Sequence, residues 1–380
     1  MMSVQGEAKV TETTTTTTSN QTEDAGPVIF VPGFKGSRLV DAETGEVRWL
    51  TAWGALALAG PPALALPDAH ALAPAGALES LLGGMYPVYA PFLRAARSRW
   101  GARLHVFAYD WRQSCVATAR ELETFLLRLL QNAASAAPPT LIVHSMGGLV
   151  TWALLSRLAN LQEEDEQEQR AQLLEWMSRA RVVFVGTPFQ PIEALLEDMT
   201  PGTPAHCRYL PAAVLATHPA AYELLAPPRS ACDARLHDTE HWAQRGVGAF
   251  ACADVPRARA AELVRAGLAG ADAFRTHTLR ADFAGTPLAH VRAAVVAGRT
   301  RPTKTGLPAA FFDCAAPLDW RAVPRTPGDG RVPLASAVAL PAGLDFRTVV
   351  LTPNDHGALL NDSKALLLAV SSLDSSVEDS

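Results

Sequence analysis

Six short apolar runs, separated by stretches of helical periodicity, constrain the fold more than any other feature of the chain. They are PVIFV (27–31), LHVFAY (104–109), TLIVH (140–144), RVVFVGT (181–187), VRAAVVAG (291–298) and RTVVLT (347–352). Runs this short and this continuously apolar suit strands buried on both faces. Between them, ARELETFLLRLLQNAA (119–134) sets Leu122, Phe125, Leu126, Leu129 and Leu130 on one helical face, and GLVTWALLSRLANL repeats the pattern after TLIVH. Strands of this kind alternating with helices predict a parallel sheet in an α/β fold. The alternation lapses between about 190 and 288, where Ala, Pro and Arg are common and the apolar runs are helix-like. This predicts a helical cap (190–288) inserted between two parts of an α/β core, 27–189 and 289–371. A further insertion at about 45–80 reads as a lid-like loop.

Composition narrows the function classes. The 380 residues are 48% hydrophobic, enough for a large core, and carry a net charge of -5 with scattered Lys and Arg. No basic stripe suited to nucleic acid is present. The five cysteines form no C-x-x-C pair, which fits reduced thiols better than a disulfide framework. Residues 1–26, with their threonine run, offer little to bury and read as a disordered tail, as do residues 372–380. Neither a signal-peptide pattern nor a continuous bilayer span is visible. The best candidate span, WLTAWGALALAGPPALALP (49–67), is interrupted by Gly60-Pro61-Pro62. A cytoplasmic location is therefore expected. Trp49 and Trp53 in that segment are candidate lid or substrate contacts, lying on a membrane or over an apolar pocket.

Chemistry enters at TLIVHSMGGLVTWALL, a strand, a tight turn at Ser145 and a helix. A strand-to-helix turn of this kind exposes a serine hydroxyl at the carboxyl end of a sheet, where the helix N-terminus favours negative charge. The G-x-S-x-G pattern is incomplete, because Val143 replaces its first glycine while Gly147 and Gly148 are present. Alone, such a serine reads equally as a helix N-cap. A nucleophilic serine needs a histidine base and a carboxylate behind it, in the chain order Ser, acid, His. Asp329 in PGDGRVPLAS and His356 in VVLTPNDHGALL fit that order and fall where loops should leave the carboxyl ends of strands. Individually, Asp329 also suits the corner of a turn, and Asp355 is a weaker alternative acid.

The stretch VPGFKGSRLV (31–40) runs from the first apolar run into a loop with Gly33 and Gly36. It is either a simple chain reversal or a backbone cradle for negative charge. With a serine turn downstream, the cradle reading assigns the N–H groups of Phe34 and Met146 to an oxyanion hole. A competing signal, HDTEH (237–241), matches a zinc motif with His237, Glu240 and His241, but explains none of the other motifs. No metal and no cofactor are expected.

Taken in order, VIFVPGFKGSRL, FAYDWRQS, HSMGGLV, VGTPF, HPAAYELLAP, GDGRVPLAS and NDHGALL resemble the lecithin:cholesterol acyltransferase family, with its phospholipase A and phospholipid:diacylglycerol acyltransferase relatives. The resemblance spans about 27–362 and is weakest in the cap. It implies an α/β-hydrolase fold with Ser145 as nucleophile, Asp329 as acid, His356 as base, and Phe34 and Met146 in the oxyanion hole. It also implies a lipid substrate presented at a membrane or micelle surface. Tyr109, Asp110, Trp111 and Arg112 would be structural or substrate-side, with Asp110 and Arg112 also readable as a buried ion pair. The 45–80 insertion departs from the family's disulfide-closed lid, since it has no cysteine. The expected activity is O-acyl transfer or ester hydrolysis on a phospholipid-like substrate. A general carboxylesterase or lipase, and an inactive lipid-binding protein, are the alternatives.

Overall fold

The computed structural model describes residues 26–51, 64–67, 71–132, 137–160, 167–203 and 210–374. The six apolar runs supply the six strands of one sheet: β1 (Val28–Val31), β2 (Leu104–Val106), β3 (Thr140–His144), β4 (Arg181–Val185), β5 (Arg292–Gly298) and β6 (Asp345–Thr352). Their order is β6-β5-β4-β3-β1-β2, and every neighbouring pair is parallel.

Alternation along each central strand divides the core in two. Ile29, Val31, Leu141, Val143, Val182, Phe184, Ala293 and Val295 face one side, among residues of the helices α2 (Cys115–Asn132) and α3 (Met146–Ala159). Val28, Phe30, Ile142, Val183, Val185, Ala294 and Val296 face the other, with Phe92, Leu93 and Ala96 of α1 (Ala90–Trp100). Leu366, Ala369 and Leu373, from the C-terminal helical segment, join that second side. Both faces of β1, β3, β4 and β5 are thus dry, which is why these strands read as unbroken apolar runs. β6 lies at an edge, and its pattern is correspondingly mixed, with Phe346, Val349 and Leu351 exposed.

Between β4 and β5 the described residues form helices and no strand. Among them are Pro219–Leu225, Thr239–Arg245 and Arg257–Ala273. Glu223, on the first of these, is buried and accepts a hydrogen bond from the N–H of Cys115, the first residue of α2, at 2.7 Å. Burial pushes its carboxyl up to about 7, although the Cys115 N–H and Arg275 pull the other way. The folded chain therefore holds this proton more tightly than the unfolded chain does. Stability from that difference is complete below the ordinary carboxyl value of 4.5 and is lost as pH rises through about 7. Glu223→Gln keeps an acceptor without the ionisation. The wild-type melting temperature should fall by several degrees between pH 5 and 8, and the variant's profile should be flatter; parallel profiles would contradict this account.

Two regions differ from the sequence expectation. The ends of the 45–80 insertion are not loop: Ser37–Asp41 pairs antiparallel with Val47–Trp49 on one side and Leu72–Ala77 on the other. Trp49 is 4% exposed, stands edge-on to Trp111 with ring centroids 5.0 Å apart, and donates its indole N–H to the Lys35 carbonyl. It packs inside the protein. Trp53 lies outside the described residues, as do 52–63 and 68–70. The other addition is an antiparallel ladder, Arg301–Lys304 with Arg325–Gly328, that leads directly into Asp329. Among the described residues no helix is long and apolar enough to cross a membrane.

Candidate active site

Ser145 follows β3 immediately and opens α3 with φ 54° and ψ -124°, a backbone conformation that costs a non-glycine residue free energy. It makes no side-chain capping bond. The N-cap reading therefore leaves both its strain and its side chain without a purpose. The turn is tight because α3 runs back against β1. A Cβ on Gly147 would sit 2.5 Å from the Val31 carbonyl oxygen, so this position takes no side chain. Val143, at the position where the common pattern has glycine, is fully buried within β3.

Tertiary folding brings His356 and Asp329 to this serine. His356 Nε2 lies 3.0 Å from Ser145 Oγ, and His356 Nδ1 lies 2.8 Å from Asp329 Oδ2. The His356 N–H also donates to the Asp329 carbonyl at 2.9 Å, pinning the two loops together. The other carboxylate oxygen of Asp329 accepts from the N–H groups of Val332 (2.6 Å) and Arg331 (2.9 Å). Burial alone would raise the Asp329 carboxyl, but His356 and these two donors outweigh it and hold it below the usual carboxylate value. Asp329 is thus kept ionised beside the imidazole. Asp355 points elsewhere, is exposed, and lies 3.8 Å from Arg301, so it is not the acid of this cluster.

The opening loop is a tight turn, as its glycines suggested. Gly36 N–H donates to the Gly33 carbonyl at 2.9 Å, which closes a turn with Lys35 at φ 63°. In a trans peptide the N–H of Phe34 points opposite to the Gly33 carbonyl. The same turn therefore fixes the direction of that N–H. Among the described residues neither the Phe34 nor the Met146 N–H has a hydrogen-bond partner. Gly33 lies against the serine: a Cβ there would fall 2.8 Å from Ser145 Cβ and 3.1 Å from His144 Nδ1.

The segment Tyr109–Arg112 supports this loop. Tyr109 Oη donates to the Pro32 carbonyl at 2.8 Å, the Tyr109 N–H donates to Ser37 Oγ, and Trp111 Nε1 donates to the Ser37 carbonyl. Arg112, fully buried, makes a two-pronged pair with Asp110 at 2.9 and 2.8 Å. Asp198 adds a clamp from outside, pairing with Arg331 beside Asp329 and lying 3.8 Å from Lys35 in the loop. The HDTEH histidines go to separate carbonyls, His237 to Pro227 and His241 to Phe311. No group of three candidate metal ligands occurs among the described residues.

Comparison with known proteins agrees with this architecture. Residues 96–183 match a family described as an α/β hydrolase of unknown function, DUF900. A solved structure, that of the Tle4–Tli4 complex, is 17% identical over 94% of this chain and 99% of that chain, with a TM-score of 0.51. The protein has the α/β-hydrolase fold. The mature lipase BlEst2 of Bacillus licheniformis is also similar to this hydrolase-fold chain, at 15% identity over 92% of each chain and a TM-score of 0.39. No curated relative matches it. The matching family is not the lecithin:cholesterol acyltransferase family that the motifs resemble.

Sequence reasoning gave no role to Tyr89, His144 or Ser37, all of which touch the site. Tyr89 lies 55 residues before His144 in a segment with no motif, and only the fold juxtaposes them.

Proposed function

We propose that the protein is a serine-dependent acyl enzyme acting on lipid esters. The observation that carries this reading is the hydrogen-bonded series Ser145–His356–Asp329 beside the N–H groups of Phe34 and Met146, which have no partner among the described residues. Ser145 Oγ attacks the ester carbonyl as its proton passes to His356 Nε2. The oxyanion that forms takes hydrogen bonds from the Phe34 and Met146 N–H groups. Collapse breaks the carbonyl carbon's bond to the leaving alcohol, which takes the proton from His356. Water or an acceptor alcohol then attacks the acyl-serine, gives its proton to His356, and the proton returns to Ser145.

The order of motifs from VIFVPGFKGSRL to NDHGALL supports a phospholipid-like donor, presented at a membrane or micelle surface. The buried position of Trp49 favours the second reading, a general carboxylesterase, because it removes one ground for an interfacial lid. Long-chain phospholipid and short soluble esters, each with and without a long-chain alcohol, should be compared by mass spectrometry of the products. The lipid reading expects faster turnover of the phospholipid, with alkyl ester appearing if acyl transfer competes with hydrolysis. Turnover confined to short esters would establish the carboxylesterase instead. A fluorophosphonate probe should label wild type and not Ser145→Ala; absence of labelling in active wild-type protein would remove the serine from the reaction.

A further inference from the structure

We infer that Tyr89 and His144 are positioning residues that tie the oxyanion loop to the backbone of the base His356, so that the two halves of the catalytic machinery are held in one register. This rests on the serine-hydrolase reading of the site. Three hydrogen bonds in series carry the inference: Gly33 N–H to Tyr89 Oη at 3.0 Å, Tyr89 Oη to His144 Nδ1 at 2.8 Å, and His144 Nε2 to the His356 carbonyl at 3.1 Å. They connect four separate segments of the chain, the loop after β1, the start of α1, the end of β3, and the loop after β6.

The direction of each bond follows from its ends. A carbonyl oxygen only accepts, so His144 Nε2 carries the hydrogen. Burial, with His356 adding to it, pushes the His144 imidazole down to about 3, so the ring is neutral and Nδ1 is an acceptor. Tyr89 must then donate its hydroxyl hydrogen to Nδ1 and receive the Gly33 N–H on its oxygen. Burial holds the Tyr89 phenol well above its ordinary value, so it keeps that hydrogen. Every donor points from the loop toward the base.

Two of the other buried histidines engage only one ring nitrogen. His218 and His237 each place Nε2 on a carbonyl and leave a buried Nδ1 without a partner among the described residues. His144 uses both nitrogens, and its ring also lies 4.8 Å from that of His356 between centroids. Tyr89 is held from the side by Phe30 at 5.0 Å, and a Cβ on Gly36 would come within 2.9 Å of its hydroxyl. The loop glycines are thus fitted around the tyrosine as well as the serine. Gly33 N–H belongs to the peptide immediately before the one that carries the Phe34 N–H. Freeing it releases one end of the proposed oxyanion donor, while the removal of the His144 bond releases the loop that carries the base.

Tyr89→Phe removes the hydroxyl and keeps the ring packing. With the full chain and a short soluble ester, kcat should fall tenfold or more, with KM within twofold of wild type. The Ki of an alkyl trifluoromethyl ketone, which forms an oxyanion on the serine, should rise in parallel with the loss in kcat/KM. The Ki of the matching methyl ketone should stay within twofold. His144→Asn, which retains an acceptor toward Tyr89 and loses the donor to His356, should show the same pattern and covers the case in which Tyr89→Phe does not fold. Unchanged kcat in a folded variant, or equal weakening of both ketones, overturns the inference. Ser145→Ala separates the two levels. If it stays active, the serine reading fails and takes this one with it; if it is inactive while Tyr89→Phe and His144→Asn match wild type, only the positioning role fails.

Discussion

Ser145→Ala should lower ester turnover by about 10³–10⁶-fold with little change in fold. The hydroxyl is the one atom group that links the imidazole of His356 to a substrate carbonyl, and no other hydroxyl stands within hydrogen-bonding distance of His356 Nε2 among the described residues. Its loss removes the acyl-enzyme route entirely, leaving whatever the N–H groups of the loop and α3 provide. The backbone supplies an independent check. At φ 54° and ψ -124° a residue with a Cβ is strained at a cost on the order of 1–3 kcal/mol. Glycine adopts such a conformation without that strain. Ser145→Gly should therefore be as inactive as Ser145→Ala and yet melt at a higher temperature than wild type. An active Ser145→Ala would end the proposed mechanism. An inactive but destabilised Ser145→Gly would show that the turn is held by contacts through the serine side chain.

The second large effect is expected at Phe34. If its N–H donates to the oxyanion, Phe34→Pro should cost about 10²–10³-fold in kcat, because proline has no N–H. Phe34→Leu keeps the donor and loses only the edge-on contact of the ring with Trp111, at 5.3 Å, and the nearby Lys35 ammonium, 5.2 Å from its centroid. It should stay within about tenfold of wild type, since such aromatic contacts contribute roughly 0.5–1.5 kcal/mol. The pair of variants thus separates backbone from side chain. Comparable activity of Phe34→Pro and Phe34→Leu, with both folded by circular dichroism, would remove this loop from the oxyanion hole.

Much of the framework was legible because its physical causes are local or periodic. A strand buried on both faces must be apolar at every position, so TLIVH and VRAAVVAG announce themselves. A reversal from strand into helix with no room for a side chain requires glycine, and Gly147 marks it against the Val31 carbonyl. The exceptions are as informative. LHVFAY is strand only through Val106; the Phe107 N–H still bonds the Phe30 carbonyl, and Tyr109 beyond it supports the opening loop. The 45–80 insertion looked like a lid because it is rich in Ala, Leu and Trp. Its described ends pair with Ser37–Asp41, and the apolar Trp49 is buried inside the protein. Hydrophobicity says that a side chain will be covered and does not say by what.

The sequence by itself determined the parallel α/β sheet, the strand-to-helix turn at Ser145 and the turn at Gly33–Gly36. Each depends on hydrogen bonding, strand periodicity or steric limits within a few residues. Only the tertiary structure decided that His356 Nε2 comes within 3.0 Å of a serine 211 positions earlier, that Asp329 rather than Asp355 backs it, and that Tyr89 bridges Gly33 to His144. These juxtapositions arise from strand order. β1 and β4 flank β3, and β5 and β6 follow, so loops distant in sequence leave one end of the sheet together. Side-chain chemistry gives each residue its capacity, and packing of the sheet chooses which capacities meet.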